Sequence, residues 1–311
     1  MWALIPGLYL GWGIGTNDAA NAFAPQVGSN IISYRRAIFI AALFSFAGAV
    51  TEGFKVFPTM AGVTRLDLSM AFIATLSAGI SVNLMSYFGL PISTSHAIVG
   101  ALIGVGLSQG QPLNANILAK ILTSWVTAPI GAGITAYFSY RILGSLLEKK
   151  FSNTFLFSRV VHYGSIITGC YAAYAMGSNN VANAMGPYVA VGFLSPFLGA
   201  VVGGACISVG VLTYSKNVIF VVGKQITALD PFSALIAILS TALTVHFFTQ
   251  FGIPVSTSQS IVGSVIGVGL NKGMLAVNVK MLWMIPAGWV ISVGVSGGMA
   301  FLMNLVKNYL Y

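Results

Sequence analysis

The chain has 311 residues, of which 57% are hydrophobic and 6% charged, with a formal net charge of +9 and a mean hydropathy of +0.89. A soluble domain carries about 25% charged residues, so the composition excludes a soluble enzyme or nucleic-acid binder and points to an all-α polytopic membrane protein. The basic excess reads as topology, which Lys and Arg in loops set, and Cys170 and Cys206, both in apolar runs, read as small buried hydrophobes.

The N-terminal stretch "MWALIPGLYLGWGIG" has no basic leader and no processing site, so it opens a first membrane helix over about 3–25 rather than a cleaved signal. Inside that helix "GTNDAANA" (15–22) sets Asp18, with Asn17 and Asn21, among small and apolar residues. An aspartate at the bilayer centre costs roughly 2.5–3.5 kcal/mol, and the Asn-rich stretch predicts an interruption of the helix. A second span is expected over about 37–57. Residues 68–119 hold no Asp, Glu, Lys or Arg; they read as an apolar segment, a break at "GLPISTS" and a further short apolar segment. A long stretch over about 114–146, with Pro129 as a kink or split, closes this part.

The chain then repeats itself. "GTNDAANA" returns as "GSNNVANA" at 177–184, an offset of 162, and "GLPISTSHAIVGALIGVGLSQG" at 89–110 returns as "GIPVSTSQSIVGSVIGVGLNKG" at 252–273, an offset of 163. Two unlike motifs recurring in order mark a duplication: a first repeat over 1–146, a linker at 147–159 and a second repeat over 160–311. The second repeat reads as an interrupted helix (160–187), a span (197–215), a hairpin (231–271) and a closing stretch (275–307) with Pro286. With Arg35 and Arg36 in the cytoplasm, alternation of the spans leaves only Lys55, Arg65, Lys120 and Lys307 outside, as the positive-inside rule favours. The two repeats are then inverted in topology, the linker is cytoplasmic, and both termini lie outside the cell membrane. The uncharged Ser-Thr-Ser apices, each followed by a short apolar segment, favour re-entrant hairpins over full spans.

Inverted repeats with discontinuous helices mark secondary transporters, with the site near the midplane. Helices beginning near Ser95 and Ser258 would aim free N–H groups and the positive dipole end at an anion, and Ser93, Thr94, Ser95, Ser256, Thr257 and Ser258 add hydroxyls suited to a tetrahedral oxyanion. The glycines Gly100, Gly104, Gly263 and Gly267 read as helix-packing faces. Around the other motif Asp18, Asn17, Asn21, Asn179, Asn180 and Asn183, with unwound carbonyls, supply oxygen ligands for a hard monovalent cation such as sodium.

These paired signatures, "GTNDAANA" with "GSNNVANA" and "PISTSHAIVG" with "PVSTSQSIVG", resemble those of the inorganic phosphate transporter (PiT) family, through both halves and in order. The resemblance implies cation-coupled phosphate symport, with sodium or protons as the coupling ion, no cofactor and no enzymatic activity. It implies that Asp18, Asn21, Asn180 and Asn183 form the ion-coupled site and that the two Ser-Thr-Ser turns hold phosphate; Asn17 and Asn179 are assigned to the phosphate with them. This sequence departs from the family in Asn180, where Asp is common, in Ser45, where many members carry Glu, and in Gln259, in place of a second His. Of a proton shuttle and a hydrogen-bonding role for His96, the second is expected. Sulfate symport and, more remotely, an anion channel remain alternatives on the residues alone; the expected partners are the lipid bilayer, phosphate and the cation, no nucleic acid, and a homo-oligomer is compatible.

Overall fold

The computed structural model describes residues 2–87, 93–150, 154–216, 219, 229–273 and 279–310. Every regular element in it is helical: α1 Ile5–Gly28, α2 Tyr34–Glu52, the short α3 Phe57–Ala61, α4 Leu68–Tyr87, α5 Thr94–Ser108, α6 Ala115–Lys150, α7 Thr154–Ala190, α8 Pro196–Tyr214, α9 Pro231–Gln250, α10 Thr257–Asn271 and α11 Val279–Leu310. Six stretches are long and apolar enough to cross a membrane, in α2, α4, α6, α8, α9 and α11. The helices start where local chemistry satisfies their first N–H groups. Ser195 accepts from Leu198 N–H, Asp230 from Ser233 N–H, and Pro196 and Pro231 follow as first helical residues that need no donor partner.

α1 and α7 carry the Asn-rich motifs, and here the structure corrects the sequence. Both run unbroken through Asp18 and Asn180; the motifs lie on continuous helices, and no backbone carbonyl is freed there for a cation. Asn21, Asn179, Asn180 and Asn183 find partners outside their own helices, as described below, while Asn17 bonds the Gly13 carbonyl one turn back, a contact the helix tolerates, and the alanines between them favour the helix. α6 and α11 likewise run through Pro129 and Pro286 without a split.

The breaks at the two Ser-Thr-Ser turns match expectation more closely. α4 and α5 flank the first Ser-Thr-Ser turn and α9 and α10 the second, though the helices begin one residue earlier than expected, at Thr94 and Thr257. Ser93 and Ser256 are their caps, accepting from His96 N–H at 3.3 Å and Gln259 N–H at 3.2 Å. At 15 residues each, α5 and α10 are roughly 22 Å long, short of the ~30 Å hydrocarbon core. The "GLP" that precedes the first turn (89–91) lies outside the described residues. In the second connector Gly252, at φ +68°, ends α9 in a conformation open to glycine, and a Cβ there would sit 2.6 Å from the Lys55 carbonyl.

Packing between the halves is reciprocal. α1 lies on α8 and α7 on α2; α5 lies on α11 and α10 on α6. The contacts are glycine against backbone: Gly15 on the Ile207 carbonyl and Gly177 on that of Ser45, Gly48 on Tyr174 and Gly210 on Trp12. Adding the repeat offset of 162 to one contact of each pair returns the other. The glycines read as packing faces behave the same way, Gly100 and Gly104 meeting Val293 and Gly297, Gly263 and Gly267 meeting Pro129 and Gly133. Lipid offers no hydrophobic drive between helices, so this close approach supplies the attraction.

A methyl group at Gly48 or Gly210 would fall on a carbonyl of the facing helix, whereas Gly131 faces open space. Gly48→Ala and Gly210→Ala should each lower stability by about 1–3 kcal/mol, and Gly131→Ala should leave it unchanged or raise it slightly; thermal unfolding of the purified variants checks this.

Candidate functional site

Asp18 lies on the inner face of α1 and is 3% exposed. Its Oδ2 accepts from Asn180 Nδ2 on α7 at 2.7 Å and from Thr94 Oγ1, the first residue of α5, at 3.4 Å; Thr257, the first residue of α10, also bonds the carboxyl. One carboxylate therefore gathers donors from the other Asn-rich motif and from both Ser-Thr-Ser turns. All three donors are neutral. Among the described residues Asp18 has no Lys, Arg or His partner, and a buried charge compensated by neutral groups alone is costly.

The asparagines cross between the halves in the same way. Asn21 donates to Thr257 Oγ1 at 3.3 Å, and Asn183, 162 residues on, donates to Ser95 Oγ at 3.0 Å and to Asn180 Oδ1 at 3.3 Å. Ser95 in turn donates to the Val255 carbonyl at 3.2 Å, so the turn of one half touches the connector of the other. Asn183 Oδ1 is fully buried with no partner among the described residues. A cavity of about 10 Å³ opens beside the carboxylate, its polar wall made by Asp18, Asn21, Thr241 and Thr257. That is room for about one water molecule or a small bare cation.

Ser258 is half-buried on the first turn of α10. Asn179 is committed elsewhere: it donates to Thr249 Oγ1 at 2.9 Å and to the Ile253 carbonyl at 3.1 Å, and accepts from Val255 N–H at 2.9 Å. It braces the connector that delivers Thr257. Asn17 donates to the Gly13 carbonyl in its own helix at 3.1 Å. His96 differs from expectation, since neither ring nitrogen has a partner among the described residues; the ring packs on Trp125, with centroids 3.7 Å apart, and lies 6.2 Å from Trp289. Ser45 is buried and bonds the Ala42 carbonyl.

Sequence reasoning missed two features. Thr241 joins the cavity from α9 and donates to Ser264 on α10 at 3.0 Å; the repeat offset puts Ala78 at the matching position, so the duplication gave no hint of it. The second is a cluster where the C-terminal ends of α2 and α9 meet the middle of α7. Glu52 Oε2 meets His246 Nε2 at 2.8 Å and Gln250 Nε2 at 2.6 Å, and Tyr171 hydroxyl meets His246 Nδ1 at 2.8 Å. Lys55 donates to Gln250 Oε1 at 2.6 Å, and Tyr174 pairs with Thr51 at 2.8 Å. The rarity of ionisable residues in these apolar runs was the available signal.

A profile of the Phosphate transporter family matches residues 14–300. The chain belongs to that family. A protein of Chlamydia muridarum that carries a provisional phosphate-permease name is 27% identical, with all of both chains aligned. The chloroplast inorganic phosphate transporter 2-1 of Arabidopsis thaliana is 26% identical over 97% of this chain and 71% of its own. A solved structure of a sodium-dependent phosphate transporter superposes with a TM-score of 0.89 at 26% identity, over 99% of this chain and 98% of that one. The protein is a multi-pass membrane transporter of phosphate and not an enzyme.

The Glu52–His246 contact joins helices from the two halves, so Glu52→Gln and His246→Gln should be non-additive. A double-mutant cycle read by thermal unfolding should return a coupling of at least about 0.5 kcal/mol.

Proposed function

We propose that this phosphate transporter is a sodium-coupled symporter working by alternating access, built from two inverted-topology repeats (1–146 and 160–311) joined by a cytoplasmic linker at 147–159 in the cell membrane. One observation carries the reading. Among the described residues Asp18 is a buried carboxylate with only neutral donors, beside a cavity the size of one small ion, and it touches the N-termini of both short helices.

Sodium in that cavity, with Asp18, Asn21, Thr241 and Thr257 as oxygen ligands, supplies the missing positive charge. Hydroxyl and amide oxygens with one carboxylate suit a hard monovalent cation. Asn180 orients the carboxylate through its amide, and Asn183 links Asn180 to Ser95 and so to the anion site. Phosphate is held at the start of α5 and α10, where the N–H groups of Thr94, Ser95, Thr257 and Ser258 precede the first helical hydrogen bond and the two dipoles add positive potential. Ser93 and Ser256 shape those turns as caps, and Asn179 acts as a brace rather than a ligand. The two ions share Thr94 and Thr257, so each lowers the cost of the other: without sodium, the Asp18 charge repels phosphate. Phosphate is favoured over sulfate because it can donate a hydrogen bond toward Asp18, which sulfate at neutral pH cannot. The kinship with a sodium-dependent phosphate transporter supports the choice of sodium.

Asp18→Asn keeps the shape and removes the charge. Linkage requires both ligands to feel the change, so phosphate binding to the purified variant should lose its sodium dependence. Affinity at saturating sodium should fall about tenfold or more. Wild-type sodium dependence in Asp18→Asn would make the carboxylate structural. For topology, single cysteines at Ser152 and Phe193 in a variant lacking Cys170 and Cys206 should label from opposite sides of the membrane; labelling from one side would rule out inversion.

A further inference from the structure

Away from the site an apolar groove of about 540 Å³ lies between α6 and α10, floored by Gly133, Gly263 and Gly267 and walled by Ile134, Phe138 and Leu270. It runs from Pro129 to Phe138 along α6 and from Val262 to Leu270 along α10. At one end stands Arg141, exposed and tethered: its Nε donates to Asn271 Oδ1 at 3.0 Å, and its guanidinium carbon lies 4.8 Å from the centre of the Tyr137 ring. Its two terminal nitrogens have no partner among the described residues. The other cation nearby, Lys272, is paired with Asp230.

We infer that this groove is a binding site for an anionic phospholipid, with one acyl chain lying between α6 and α10 and the phosphate on the Arg141 guanidinium. The lengths agree. Twelve residues of helix separate Pro129 from Arg141, roughly 18 Å at 1.5 Å per residue, which is close to half of the ~30 Å hydrocarbon core. The groove therefore spans a single leaflet, from headgroup level to about the midplane, as one lipid tail does. Its walls are apolar, as a tail requires, and the glycines on its floor create the depth. Among the described residues the charge at its mouth without a carboxylate partner is a guanidinium, whose planar fork matches a phosphate diester, and Asn271 and Tyr137 hold it in place before the lipid arrives.

The deep end also reaches the transport site. Trp289 lines the groove and its ring lies 6.2 Å from that of His96, the residue next to Ser95. An occupied groove supports the wall against which the first turn of α5 rests, so the lipid's effect extends to transport.

The inference requires only that the chain spans the membrane and stands or falls separately from sodium coupling. The test uses the full-length protein in nanodiscs containing equal phosphatidylglycerol and phosphatidylcholine, with the lipid retained on release read by native mass spectrometry. Wild type should retain phosphatidylglycerol in preference, and Arg141→Gln should cut that preference about tenfold. Leu270→Trp, which fills the groove at an exposed position, should lose both lipids while keeping the wild-type fold by circular dichroism. Equal retention of the two lipids by wild type, or an Arg141→Gln variant that still prefers phosphatidylglycerol, would overturn the site. So would crosslinking of Ile134→Cys to a second copy of the chain in the same nanodiscs, which would make the groove a subunit contact.

Discussion

The architecture depends on one carboxylate that, among the described residues, has no cation to neutralise it. Asp18 is almost fully buried, and its partners are an amide and two hydroxyls. Inside a membrane protein such a group is expensive, and the cost is moderated only when several dipoles converge on it. Convergence dictates much else. Thr94 and Thr257 reach the carboxylate because each opens a short helix within the protein. Those helices can be short because glycine faces fasten them to α11 and α6. α1 and α7, which bear the polar motifs, are absent from the spans recognised by hydropathy. They sit at the centre of the packing instead, where their polar residues meet protein rather than lipid.

Reciprocity is the second organising fact. The offset that relates the motifs in the sequence also relates the backbone contacts in space, to within a residue. Each half supplies the partner for the other, and the two polar motifs reach across to the opposite turn, Asn21 to Thr257 and Asn183 to Ser95. A displacement of one half against the other alters both turns at once, because the bonds that bind the halves together are also the bonds of the site.

Much of this was legible in the sequence because it was written twice. Paired motifs at one offset disclosed the repeats, the hairpins and the packing glycines. What was hidden depended on single residues and remote partners. The Asn-rich stretch looked like a break because asparagine is a weak helix former taken alone; the partners of Asn21 and Asn179 on other elements stand 236 and 70 residues away, beyond any local pattern. Asn179 looked like a ligand by similarity to its neighbours, and only the fold of the 251–256 connector made it a brace. Thr241 and the Glu52–His246 pair, 194 residues apart, occur in one half only, where repetition is silent.

The bond between Asp18 and Asn180 has a consequence for electrical bookkeeping. The two residues correspond by the repeat offset, and they touch, so the point where the halves mirror each other falls between them. A carboxylate at both positions would place like charges in contact, and such a pair holds a shared proton or a cation between its members. The amide of Asn180 supplies that bridging hydrogen permanently, as part of the chain. The pair therefore carries one negative charge, not two. On the proposed coupling, a single monovalent cation would bring it to neutrality, and the membrane voltage would act on one unit of charge fewer than in a chain with aspartate at both places.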